Sequence, residues 1–168
     1  MRVAIVGLGM IGGADQVSGD ALGQRVANMD GTHAAAYQRH PRIQLVAGAS
    51  RDAGRRQRFA ERTGAKTYPD WHDMIAGEPI DLVSVATYAP SHAEITIACA
   101  ERGIPVIYCE KPVATRLADA ERMLAACDRN KVLRNHALLC EDGLIKKIGP
   151  SKAFTGTYNK VIDAGGKR

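Results

Sequence analysis

A chain of 168 residues holds one domain and a short appendage, and is too short for two full domains. With 45% hydrophobic, 24% charged and only 5% aromatic residues it has the composition of a globular protein with a core of Ala, Val, Ile and Leu, which excludes a disordered polymer. The net charge of +5 does not indicate nucleic acid as a partner, because the arginines are scattered without interleaved aromatic residues, and no apolar run reaches the ~18 residues of a membrane span.

Residues 3–6 form a β-branched apolar run followed at once by Gly7, Gly9 and Gly12, the pattern of a strand feeding a GxGxxG loop. Each glycine answers a separate demand: a tight turn out of the strand, close approach of backbone to a pyrophosphate, and close packing of a helix on the sheet. The helix start would add unpaired N–H groups. Residues 13–20 then read as loop, Asp30, Gly31 and Thr32 make a second break, and residues 13–31 are expected to be an insertion in the first βα connection. Within it, residues 21–29 suit a short helix capped by Asp20, with Leu22, Val26 and Met29 on one face.

Thr32 is the expected cap of a helix over 33–39 that stops before Pro41. Residues 43–49 predict a second strand, and Asp52 opens an arginine-rich helix to Thr63, closed by Gly64. A short edge strand is expected over 66–68 and one or two helical turns over 70–76, with Trp71, Met74 and Ile75 inward. The nearly continuous apolar run 80–87 suits a strand buried on both faces of a parallel sheet. An amphipathic helix over 90–102 ends at Gly103, a strand follows over 104–109, and a helix over 117–130 should turn Leu117, Ala120, Met123 and Leu124 inward before a last strand at 131–134. Strands alternating with helices predict an α/β fold, a Rossmann-type doubly wound parallel sheet of order 3-2-1-4-5-6.

The four cysteines, Cys99, Cys109, Cys127 and Cys140, have no CxxC spacing and no paired histidines nearby, so no metal site is expected. The first three sit in apolar segments as small hydrophobes. A reduced, cytoplasmic setting fits them, as does a strand that starts within two residues of the N-terminus and leaves no room for a signal peptide.

Two further loops should gather with the glycines at the strand carboxyl ends: residues 86–92 and residues 109–112. The start Gly7-Leu8-Gly9-Met10-Ile11-Gly12, the Ser84-Val85-Ala86-Thr87 run with His92 and Glu94 downstream, and above all Glu110-Lys111-Pro112 resemble the nucleotide-binding half of the glucose–fructose oxidoreductase and inositol dehydrogenase (Gfo/Idh/MocA) family, over residues 1–136. The resemblance implies that Gly7, Gly9, Met10, Ile11 and Gly12 cradle the pyrophosphate of a nicotinamide dinucleotide. Ala86, Thr87 and Tyr88 would lie along the cofactor with His92 close by. Glu110 would approach the nicotinamide ribose, and Lys111, the expected catalytic residue, would reach the nicotinamide and the hydroxyl of a sugar or polyol substrate. Without the resemblance, Lys111 reads as an exposed strand-end charge.

Cofactor choice is read at the end of the second strand, where an acidic residue suits the ribose of NAD and an arginine the 2′-phosphate of NADP. Ser50 and Arg51 hold the contact positions with Arg55 behind them, which favours NADP; Asp52, best read as a helix cap, leaves NAD open. The alternative for the arginines between 51 and 58 is a solvated helix face. An assembly of several copies of the chain is also left open.

After residue 136 the pattern changes. Residues 137–149 read as a hairpin turning at Asp142 and Gly143, and residues 160–166 as a further short strand and turn. These two segments together are similar to the small β segment that opens amidohydrolases such as imidazolonepropionase, without the His-x-His of that family. Residues 137–168 are therefore expected to be a short β-rich tail foreign to the oxidoreductase family, standing where its second α/β domain would follow. Two functions compete: a dehydrogenase-type domain that binds NADP or NAD for hydride exchange, truncated before its substrate domain, and a non-catalytic dinucleotide-sensing or interaction module on the same fold.

Overall fold

The computed structural model describes residues 1–17, 29, 31–128, 136–141, 144–155 and 157, in two compact units, Met1–Asn130 and Lys131–Arg168. In the first unit β1 (Arg2–Val6), β2 (Gln44–Ala49), β3 (Lys66–Tyr68), β4 (Leu82–Val85) and β5 (Val106–Cys109) form one parallel sheet of order β3-β2-β1-β4-β5. This is the expected doubly wound order for five strands; the sixth, over 131–134, lies outside the described residues.

Alternation along β1 divides the core. Ala4 and Val6 join Ala47, Val83, Val85, Met74, Ile95 and Cys99 on one face, whereas Ile5 packs with Leu8, Ala34, Phe59 and Ala65 on the other. The first face is covered by α4 (Trp71–Gly77) and α5 (His92–Glu101), with α6 (Leu117–Asp128) against α5. The second is covered by α1 (Met10–Gly13), α2 (His33–Arg39) and α3 (Ala53–Thr63). Among the described residues no helix is long and apolar enough to cross a membrane.

The predicted caps of α2 and α3 form as hydrogen bonds, Thr32 Oγ1 accepting from the Ala35 N–H and Asp52 Oδ1 from Arg55; Asp70, expected as the first residue of its helical turns, instead caps α4, its Oδ1 accepting from the His72 N–H. The glycine loop does run into a helix, but for one turn only, because Ala14 takes the left-handed conformation (φ 57°) and ends α1. Among the described residues the next helix is α2, which begins at His33. The helix expected over 21–29 falls outside the described residues except for Met29.

Three expectations need correcting. β4 and β5 are shorter than the apolar runs that announce them, spanning Leu82–Val85 and Val106–Cys109 of the expected 80–87 and 104–109. The helix start at Pro90 is a 3-10 turn, Ala89–Ser91, and α5 proper begins at His92. On α6, Leu117 (76% exposed) and Leu124 (56%) face outward, while Met123 and Ala126 are the residues buried. The contact is centred on Met123 and Ala126, and at about 100° per residue Leu117 and Leu124 fall toward the opposite side of the helix.

In the second unit β6 (His136–Glu141) pairs antiparallel with β7 (Leu144–Pro150), from His136 opposite Pro150 to Glu141 opposite Leu144. This is the predicted hairpin. Its turn at 142–143 and the segment 160–166 lie outside the described residues.

Candidate functional site

Strand register brings four loops into one line. Val6, Ala49, Val85 and Cys109 end β1, β2, β4 and β5; Val6 is paired with both Ala49 and Val85, and Val85 with Cys109. The ladder runs one residue further: the Gly7 N–H donates to Ala49 O (2.9 Å), Ala86 to Val6 O (2.8 Å) and Glu110 to Val85 O (2.9 Å). Gly7, Ser50, Ala86 and Glu110 therefore open their loops side by side at the carboxyl edge of the sheet, where open α/β sheets take ligands.

Packing dictates two of the glycines. Gly7 has φ +100°, and a Cβ built there would come 2.4 Å from Ala86 O; a Cβ on Gly12 would come 2.1 Å from Gly7 O. Any side chain at either place would push the helix or the neighbouring loop away from the strand. Gly9 caps α1, and the first N–H to close the helical turn is that of Gly13, onto Gly9 O (2.9 Å). The N–H groups of Met10, Ile11 and Gly12 thus precede any intrahelical acceptor. A close-packed glycine turn with three such donors fits a dinucleotide pyrophosphate.

Around this turn the other candidate residues divide into exposed and buried sets. Lys111, Tyr88 and Arg51 are exposed, and Ala86, Thr87 and Ser50 are half-buried. Glu110 is half-buried; its Oε1 lies 3.0 Å from His33 Nε2, and Oε2 accepts from the Lys111 N–H at 3.2 Å. The hydrogen bond from His33 chiefly holds the Glu110 carboxyl below the ordinary carboxylate range.

His92 is buried at the start of α5. It is 1% exposed, with Nδ1 2.9 Å from Pro112 O and Nε2 2.9 Å from Thr87 O. Both acceptors are carbonyls, so a neutral ring satisfies one and an imidazolium satisfies both. With its N–H on Nδ1 donating to Pro112 O, the ring ties the start of α5 to the loop after β5. Ser91 Oγ adds a hydrogen bond to Thr87 Oγ1 (2.8 Å).

The arginines after β2 are mostly engaged with the protein itself. Arg58 grips Asp15 in a two-pronged pair (2.9 and 2.8 Å), Arg55 lies 3.8 Å from the same carboxylate, and Arg62 donates to Gly13 O. Arg56 donates to the carbonyls of Ser50 (2.6 Å) and Arg51 (2.9 Å). Asp15 is 1% exposed, and the hydrogen bond from the Arg58 guanidinium holds its carboxyl below the usual carboxylate range. Arg55, which the sequence offers as a second phosphate contact, thus faces Asp15, and the solvated-face reading of this helix fails for Arg55, Arg56 and Arg58.

Asp15, His33, Arg58 and Arg62 are absent from the sequence-based site. His33 shares with His92, which the sequence does offer, a signal that could have found it: each is the first residue of a helix that begins at the carboxyl edge of the sheet. Asp15 carries no comparable signal, since its partner lies 43 residues away.

Comparison with known proteins matches this architecture. Residues 1–136 fit the model of the Gfo/Idh/MocA oxidoreductase family, NAD-binding Rossmann fold. Inositol 2-dehydrogenase 3 of Saccharopolyspora erythraea is 32% identical over 169 residues, covering 99% of this chain and 41% of that protein. D-apiose dehydrogenase of Paraburkholderia graminis is 38% identical over 87 residues, 51% of this chain and 23% of its own length. Among solved structures, the WlbA dehydrogenase of Bordetella pertussis in complex with NADH and UDP-GlcNAcA superimposes with TM-score 0.61 at 28% identity, over 77% of this chain and 34% of that one. A probable dehydrogenase from Thermotoga maritima gives TM-score 0.62 at 27% identity, over 77% of this chain and 34% of its own. The chain spans well under half the length of these relatives. It belongs to the Gfo/Idh/MocA oxidoreductase family and carries that family's NAD(P)-binding Rossmann domain.

Proposed function

We propose that this chain is the dinucleotide-binding part of an oxidoreductase that exchanges hydride between NADP and a sugar or polyol hydroxyl, with Lys111 as its catalytic residue. The observation that carries the reading is the alignment of Gly7, Ala86 and Glu110 in one register at the carboxyl edge, which brings the glycine turn and the Glu110-Lys111-Pro112 loop to the same site. A nicotinamide bound there supplies the centre that gives or takes the hydride. The N–H groups of Met10, Ile11 and Gly12 hold the pyrophosphate, and Ala86, Thr87 and Tyr88 line the dinucleotide. Lys111, exposed at the strand end, presents an ammonium that polarises the reacting oxygen. His92 contributes by tying the start of α5 to the loop after β5. Sugar-nucleotide, inositol and apiose dehydrogenases among the relatives support a polyhydroxylated substrate.

The choice of NADP rests on Arg51. Arg55 and Arg56 are turned to Asp15 and to backbone carbonyls, whereas Arg51 is exposed beside Ser50 at the end of β2. Asp52 is engaged as the cap of α3. The division of the chain at residue 136 belongs to the same reading, supported by the extent of the family match and by the parting of the compact units at Asn130 and Lys131.

Calorimetric titration with NADPH and NADH tests all of this. Both should bind, NADPH more tightly, and Arg51→Ala should weaken NADPH by about tenfold while leaving NADH nearly unchanged. Equal losses would refute the phosphate contact. The chain ended at residue 136 should bind as the full chain does, and loss of binding would contradict the division.

A further inference from the structure

We infer that His33 is a positioning residue that holds the Glu110 carboxylate in place at the cofactor edge of the sheet, an assignment that rests on the proposed dinucleotide reading. His33 opens α2 directly after its cap Thr32 and is only 8% exposed. Its Nε2 lies 3.0 Å from Glu110 Oε1, across 77 residues of chain. The ring cannot easily turn away: Tyr108 meets it edge-on at 5.1 Å between centroids, and Tyr37, one helical turn on, at 6.4 Å. Tyr37 is itself fixed, through its hydroxyl, on the buried Ser84 of β4.

The arrangement carries a cost that needs a reason. His33 Nδ1 is buried and has no hydrogen-bond partner among the described residues. A histidine that served only to fill this space would leave two polar atoms to be satisfied where an apolar residue would leave none. What the imidazole gives in return is a single directed N–H on Oε1. The other carboxylate oxygen takes the Lys111 N–H, so both oxygens are oriented while each keeps a second lone pair for a ligand hydroxyl. A cleft of about 420 Å³, lined by Thr32, His33, Ala36, Tyr37, Tyr108 and Glu110, opens beside the pair.

The titratable groups around this carboxylate are His33 and Tyr37 from α2, Tyr108 and Cys109 from β5, and Lys111 from the following loop. Of these, His33 and Lys111 favour the ionised form of Glu110. Removing the His33 N–H should therefore raise the Glu110 midpoint.

The test is a carboxyl-carbon NMR titration of the full chain, with the Glu110 signal assigned by Glu110→Gln. His33→Leu should move the Glu110 midpoint upward, and His33→Gln, whose amide can still donate to Oε1, should return most of the shift. A midpoint unchanged in a folded His33→Leu chain would overturn the assignment. If His33→Leu fails to fold, His33→Gln against His33→Met gives the same contrast between donor and non-donor. NADH affinity is the second readout: a loss of about tenfold in His33→Leu, recovered in His33→Gln, is expected. Equal loss in both variants would make His33 merely structural. If the unaltered chain binds neither NADH nor NADPH, the dinucleotide reading falls, while the carboxyl titration still decides whether His33 holds Glu110.

Discussion

At the scale of single residues, the site is held by polar contacts that join distant parts of the sequence. Asp15 is the clearest case. Its carboxylate is buried against Arg58, so replacing it with Asn leaves the guanidinium without its charged partner directly behind the glycine turn. We expect Asp15→Asn to cost about 2 kcal/mol in urea unfolding at pH 7. The pH dependence follows from the lowered pKa of Asp15. Its contribution is complete above the ordinary value of 3.8 and is lost as the pH falls through the lower folded-state value. Below that value Asp15→Asn and the unaltered chain should converge in stability. A gap that persists unchanged into strong acid would show that the charge of Asp15 is not what matters.

At the scale of elements, α3 and α6 show what local pattern can and cannot reveal. The caps of α2 and α3 were legible because each is a contact within three residues of its own side chain. The sheet order was legible because strands and helices alternate and right-handed crossovers leave few arrangements. The docking of α3 was not legible. It combines Phe59, fully buried against Leu8 and Ile5, with arginines that reach back to Asp15 and Gly13, and none of these partners is near in sequence. The outward Leu117 and Leu124 of α6 misled for the opposite reason, since apolar spacing alone does not say which side of a helix meets a neighbour. Phe59→Ala should therefore lower stability by about 3 to 5 kcal/mol, whereas Leu117→Lys and Leu124→Lys should each stay within about 0.5 kcal/mol. Shifts in urea midpoint at constant slope would measure both. A large loss at Leu117 would mean that this face is covered in solution.

At the scale of the whole molecule, the function rests on geometry that only the assembled sheet creates. The glycine turn and the Glu110-Lys111-Pro112 loop were both readable as motifs, and the family resemblance tied them together. Their side-by-side start follows from the pairing of Val6 with Val85 and of Val85 with Cys109, which no motif encodes. The histidines at the starts of α2 and α5 then fix the second loop, one through the Glu110 side chain and the other through the Pro112 carbonyl. Lys111 stands exposed between these two fixed neighbours.

The most direct measurement of this account is a backbone amide NMR titration of the full chain with NADPH and NADH. Saturable shifts confined to residues 7–13, 50–52, 86–88 and 110–111 are the predicted result. No shifts at about 1 mM dinucleotide, or shifts centred on another face of the sheet, would contradict it.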